Sequence, residues 1–299
     1  MQWLLLFITF IFNLLTFSAC SQNKSDANFG DSLFKKIQPL YPKKTEAHKG
    51  EWLAEHAETY QSFEDYIKSK PVRPSANRNK IYVQPMGKFS VNQNEIVNLT
   101  ITYLAAFYGL QVVKLEALTD TIIYKKSRIN NHTGGLQLYT EHLLDKVLRP
   151  KLPDSGVVMI GLTSIDLYPD KTWNYVFGQA LLTKRVGVWS MNRFGNPSLS
   201  FEAYTLCLSR TIQTASHEIG HMFGIEHCIK YECCMNGSNH LQESDKAPRW
   251  FCWECLQKIC WNTGYDMKKH LEEMEKFWTK MESKNYSEFY KKNLEALKF

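Results

Sequence analysis

Apolar positions along this chain alternate between a helical period and short continuous runs, the signature of strands and helices layered on one another. Glu46 to Lys68 reads as an amphipathic helix, Lys80 to Gln84 as a strand, and Asn92 to Tyr108 as a helix ended near Gly109. Leu110 to Leu115 reads as a strand and Leu136 to Val147 as a helix stopped by Pro150. Gly156 to Leu162 has the pattern of a buried strand and runs into a loop at Tyr168-Pro169. Two further strands are predicted near Tyr175 to Leu182 and Arg185 to Ser190, joined by a short polar turn at Thr183-Lys184. A helix follows from about Ser200 to Phe223. A short helix comes after Cys255, and from Asp266 a long amphipathic one with Leu271, Met274, Phe277, Trp278 and Met281 on one side. No internal repeat is evident.

The predicted helix ending at Phe223 carries the chemistry, in the run HEIGHMFGIEHC from His217 to Cys228. His217 and His221 are four apart and stack on one helical face, so both imidazoles reach one ion. Gly224 falls where the helix must stop, since glycine takes the positive φ that lets the chain turn back beneath a metal. That reversal delivers His227 as a third ligand. Three neutral imidazoles leave a fourth position open, the arrangement of catalytic rather than structural zinc. Glu218 is placed to take a proton from water there. H-E-x-x-H alone is also a common solvated surface pattern, but Gly224 and His227 at these offsets select the metal site. Gly220 costs about 1 kcal/mol relative to Ala inside a helix, and close packing is the only reason on offer.

Cys228, Cys233 and the pair Cys252-Trp-Glu-Cys255 follow, and four thiolates in two close pairs are what a closed tetrahedral zinc site needs. Cys233 and Cys234 are adjacent, so spacing alone leaves either sulfur as the ligand. Met235 in isolation is a loop methionine of the gap-filling kind.

The combination HEIGHMFGIEHC, CCM and CWEC resembles the archaemetzincins, metalloproteases that join the histidines of the metzincins to a four-cysteine zinc site. GEWLAEHAETYQSFEDYI from Gly50 and IYVQPMG from Ile81 are similar to segments that precede and open the protease core, so the resemblance spans roughly Gly50 to Asn262. It implies His217, His221 and His227 as ligands of a catalytic zinc and Glu218 as general base. It also implies Cys228, Cys233, Cys252 and Cys255 around a structural zinc, two zinc ions per chain, and Met235 as the methionine of the turn beneath the catalytic metal. The implied fold is α/β and metzincin-like, a mixed sheet with an active-site helix above a smaller zinc-braced C-terminal lobe. The expected divisions are a signal peptide over 1–20, a linker over 21–49, a helical extension over 50–79, the protease domain over 80–265 and a C-terminal amphipathic helix over 266–299.

A chain of 299 residues with 44% hydrophobic and 22% charged residues buries a substantial core. The net charge of +6 comes from basic residues interspersed with acidic ones, as in Lys268, Lys269, Glu272, Glu273, Glu275 and Lys276, a solvated face rather than a nucleic-acid surface. No nucleic-acid partner is expected. Trp3 to Leu15 is almost continuously apolar, too short for a spanning helix, and ends in Phe17-Ser18-Ala19-Cys20. It reads as a signal peptide with Cys20 as a lipidation site, although no Lys or Arg precedes it and Phe17 is unusual three before the cysteine. Lipidation would make the chain a membrane-anchored lipoprotein facing an extracytoplasmic space; plain secretion and an uncleaved anchor are the alternatives. Ser21 to Asp31 would then be a flexible tether. Cys207, Cys234 and Cys260 are left without a role, and an oxidising compartment would permit a pairing among them.

The expected activity is hydrolysis of peptide bonds, with a peptide or protein substrate held in extended form against the edge of Tyr175 to Leu182. Glu218 would take a proton from water at the metal and return it to the leaving amine. The competing reading is an exported zinc-containing binding or scaffold protein with a silent protease site. A thiol redox protein built on Cys252 and Cys255 would need a βαβ setting that is missing around the motif.

Overall fold

The computed structural model describes residues 29–181 and 184–298. Cys20, the apolar stretch before it and the tether as far as residue 28 lie outside the described residues, as do Leu182 and Thr183. Among the described residues the strands are β1 (Lys80–Met86), β2 (Gln111–Lys114), β3 (Ser127–Ile129), β4 (Leu136–Tyr139), β5 (Gly156–Thr163), β6 (Asp166–Tyr168), β7 (Gly178–Leu181) and β8 (Val186–Ser190). Five of them form one mixed sheet in the order β2-β1-β5-β8-β7. The first four run parallel, and β7 returns antiparallel to β8 as an edge strand. Parallel strands covered on both faces read as continuous apolar runs, and β5 is buried along its whole length.

Helices Val91–Tyr108 and Phe201–Met222 pack on one face of this sheet, and Leu143–Leu148 covers the other. Ser90 opens the first helix with a reciprocal capping box to Gln93, and Gly109 closes it at φ 65°. The sequence reading holds closely here. It differs at Leu136–Tyr139, predicted as the start of a helix. These four residues form β4 in a second sheet, ordered β3-β4-β6, and the helical turns begin only at Thr140. Gln137 and Leu138 are fully buried between strand partners, a tertiary pairing that overrides local period.

The long helix predicted over Glu46 to Lys68 is two short ones, Trp52–Glu55 and Phe63–Lys68. Ser62 and Asp65 form a capping box that starts the second afresh. Residues 56–62 form no helix, and their polar side chains are engaged elsewhere in the fold, as described below. The residues expected as a linker are also structured in part. Asp31–Ile37 is a helix whose Phe34 and Ile37 enter the main core, and it rests on helix Trp253–Thr263. The expected C-terminal helix is a hairpin of Met267–Lys280 and Lys284–Ala296, turned at Glu282 with φ 55°. The buried cysteines share the main core with residues of these C-terminal helices.

Candidate active site

Ser200 caps helix Phe201–Met222 by accepting from the Ala203 amide, and the helix buries Ile212, Ala215, Ile219 and Met222 against the sheet. Its C-terminus turns at Gly224, φ 84°, where the amide of Gly224 donates to His221 O and that of Ile225 to Gly220 O. A Cβ at Gly224 would also lie 2.8 Å from Pro71 Cβ, so the turn is closed to larger residues by space as well as by conformation.

His217, His221 and His227 meet there, with candidate ligand atoms all within 4.8 Å of one another. Each ring has its Nδ1 engaged. His217 Nδ1 donates to Cys234 O at 2.9 Å, His221 Nδ1 to Ile225 O at 2.7 Å, and His227 Nδ1 to Glu58 Oε1 at 2.6 Å. With the proton on Nδ1, Nε2 is a bare lone pair. Two such lone pairs, on His217 and His221, face each other at 2.9 Å. Two acceptors at that distance repel unless a cation lies between them, so the donor set fits zinc. Burial, then the neighbouring imidazoles, push His217 well below the ordinary histidine range, and burial foremost takes His221 down to about 3. Both rings are therefore neutral, as metal ligands must be.

Burial pushes the Glu218 carboxyl up to about 8, a shift that a nearby cation opposes. Glu218 Oε1 lies against Gly178 of edge strand β7, where an added Cβ would stand 3.1 Å from it. The glutamate, the three histidines and β7 line one cleft of about 820 Å³, with Trp173 at its rim, 57% exposed. The rim is braced from behind. Arg128 donates to the carbonyls of Trp173 and Asn174, Gln137 to Asn174 O, and Arg193 stacks 3.6 Å over the Tyr175 ring. Arg193 in turn forks onto buried Asp166 at 2.7 and 2.8 Å.

Cys228, Cys233, Cys252 and Cys255 form a second cluster, all buried, with sulfurs within 4.8 Å of one another. Cys233 Sγ accepts from the Cys252 amide at 3.1 Å and the Met235 amide at 3.4 Å, bonds that favour a thiolate. Thiol donation from Cys233, then Cys252 and Cys255, holds Cys228 well below the usual range; burial pushes Cys233 and Cys252 well above it. Four thiols packed together without apolar neighbours between them fit a tetrahedral metal site. Cys234 points the other way, its thiol toward Gln213 O at 3.5 Å, with burial raising it to about 12. Cys207 and Cys260 are buried singly, and none of the seven described cysteines is in a disulfide. Met235 is fully buried and packs against Gly220, the neighbour of His221.

Several residues around the site carried no sequence signal. Trp52, Glu58, Gln61 and Tyr66 all lie far upstream yet hold the loop after the helix. Tyr66 donates to Phe223 O at 2.8 Å and Gln61 to Gly224 O at 3.0 Å. Their segment resembles the family's, but a helical pattern gives its polar residues no partners.

The family model for peptidase family M54 matches residues 114–260. Archaemetzincin-2 of Homo sapiens is 33% identical over 277 residues, covering 82% of this chain and 76% of its own length. Archaemetzincin-1 of Homo sapiens is 28% identical over 240 residues, covering 70% of this chain and 48% of its own. Among solved structures, an archaemetzincin from Methanopyrus kandleri aligns with a TM-score of 0.50 at 27% identity, over 63% of this chain and 97% of that one.

Proposed function

The chain belongs to the archaemetzincin family and is a zinc-dependent peptidase; from that premise we propose that His217, His221 and His227 hold the catalytic zinc, that Glu218 is the general base, and that Cys228, Cys233, Cys252 and Cys255 hold a second, structural zinc. The observation that carries the reading is the meeting of three Nδ1-anchored imidazoles and one buried carboxyl under an edge strand in a single cleft. When bound, zinc supplies Lewis acidity toward water and a carbonyl oxygen.

The chain's own residues do the rest. The free edge of β7 offers backbone donors and acceptors to an extended peptide, with Trp173 positioned to meet a side chain at the rim. Glu218 accepts the proton of the attacking water on a carboxylate oxygen and delivers it to the departing amine nitrogen. Gly178 puts no side chain against that carboxylate, where a Cβ would stand 3.1 Å from Oε1. The Nδ1 bonds of the three histidines fix each ring so that Nε2 points inward.

The test is peptide-library cleavage and zinc analysis on purified full-length chain beside Glu218→Ala. The expected result is two zinc ions in both proteins and turnover lower in the variant by about 10²–10⁴-fold. Equal cleavage by the variant would remove Glu218 from the mechanism.

We also propose that residues 1–20 direct export and that lipidated Cys20 anchors the enzyme to a membrane. The reading is supported by the apolar run from Trp3 to Leu15 and its ending Phe17-Ser18-Ala19-Cys20. Wild-type protein should then fractionate with membranes and Cys20→Ala should be released or left unprocessed. Soluble wild-type protein that retains residues 1–19 would overturn this.

A further inference from the structure

His217 and His221 are fixed by the helix that carries them, but His227 sits in the loop beyond it and needs an outside hold. The hold comes from 169 positions upstream. Glu58 Oε1 accepts from His227 Nδ1 at 2.6 Å, whereas the other two histidines donate to backbone carbonyls. Trp52 Nε1 donates to the same Glu58 oxygen at 2.9 Å, and the Trp52 ring meets His227 edge to face at 5.1 Å.

Trp52 is itself pinned. Its backbone amide donates to Glu243 Oε1 at 2.8 Å, and Gly237 lies so close to its indole that any Cβ there would overlap the ring. Three residues beyond Glu58, Gln61 accepts from the Glu226 amide at 3.2 Å. Buried Lys258, on the helix that also carries Cys255, donates to the Gln61 carbonyl at 2.5 Å, and Tyr60 bonds Glu254 on the same helix. The segment thus spans from the cysteine lobe to the third histidine.

Building on the zinc-site assignment above, we propose that Glu58 is the positioning residue of His227, and that docking of the N-terminal segment through Trp52 and Glu58 sets the affinity of the catalytic metal site. A carboxylate behind a histidine ligand fixes its tautomer and ring orientation and makes Nε2 a stronger donor than a backbone carbonyl can. Losing such a partner typically lowers metal affinity about 10–100-fold. Among the three ligands only His227 has this arrangement, and it is the one without helical support.

The experiment is cobalt(II) titration of the full chain, because cobalt on three imidazoles and cobalt on four thiolates absorb at different wavelengths and the two sites are read separately. Glu58→Gln should weaken the histidine site by about 10–100-fold and leave the cysteine site unchanged. Trp52→Phe should weaken it less, in the same direction, and Glu58→Asp should restore part of what Glu58→Ala loses. The cysteine-site signal confirms that each variant is folded. Unchanged histidine-site affinity in both Glu58→Gln and Glu58→Ala overturns the proposal while leaving the zinc-site assignment intact. A wild-type chain that takes up no cobalt at the histidines overturns both.

Discussion

Gly220 and Met235 touch: a methyl group at position 220 would collide with the Met235 sulfur, and also stand 3.1 Å from both Met235 Cε and Phe251 Cζ. The helix is thereby held directly against the Met235 loop, one residue from His221. Glycine costs this helix about 1 kcal/mol of propensity, and that cost is offset by a contact no other residue permits.

Gly220→Ala sets two effects against each other. Propensity gains about 1 kcal/mol, while overpacking a closed site costs typically about 1–3 kcal/mol. Net destabilisation is expected, measured as a lower melting temperature, and Met235→Ala in the same chain should relieve part of it. A more stable Gly220→Ala single variant would show that the contact is soft.

The legible part of this molecule was what repeats locally. The period of Val91–Tyr108 and Phe201–Met222, the stop at Gly109, and the offsets from His217 to His227 all act over a few residues, so the sequence displays them. Leu136–Tyr139 was misread because its strand partners, Ser127–Ile129 and Asp166–Tyr168, are themselves short and patternless. Glu58 was invisible for a related reason: its partner is 169 residues away, and a glutamate in a polar segment looks like any solvated one. Local spacing leaves Cys233 and Cys234 open and only the family likeness favours Cys233; in the fold the amides of Cys252 and Met235 point at the Cys233 sulfur, a backbone feature that spacing alone does not display.

Gly178→Ala should reduce turnover without removing metal. The new Cβ would stand 3.1 Å from Glu218 Oε1, with Trp189 Cβ and Val188 O at the same distance behind it, so the methyl cannot retreat. Displacing a catalytic group by even about 1 Å can cost on the order of 10²-fold. Zinc analysis with steady-state kinetics checks this, and wild-type kcat in a fully loaded variant would mean that the carboxylate does not act from this position.

The two proposed metal sites should respond differently to ligand loss. His221→Ala should lose one zinc and activity while its melting temperature falls little, because the helix around it is packed on its buried face. Cys252→Ser should cost the fold itself, since structural zinc binding is coupled to folding and all four cysteines are buried. Metal analysis and melting curves on both variants separate these outcomes. A single zinc in the wild-type chain would rule out the cysteine assignment.

His270, which belongs to neither candidate metal cluster, gives the fold a pH dependence. Its ring is buried between Phe107, Tyr265 and Tyr290, donating from Nδ1 to Phe107 O at 2.9 Å, and burial pushes it down to about 4. The unfolded chain protonates the same ring near 6.5, so between those values the unfolded state binds more protons than the folded one. The neutral ring's contribution is therefore complete above about pH 6.5 and is lost as pH falls toward 4, amounting to about 2 kcal/mol between pH 7 and pH 5. His270→Asn keeps a donor for Phe107 O but cannot titrate. It should be less stable than wild type at pH 7, from lost packing, yet lose about 2 kcal/mol less on going to pH 5. Denaturant unfolding of both proteins at the two pH values measures that difference, with metal-ligand protonation common to the pair. Equal losses in wild type and variant would show that His270 is already protonated in the folded chain or stays neutral in both states.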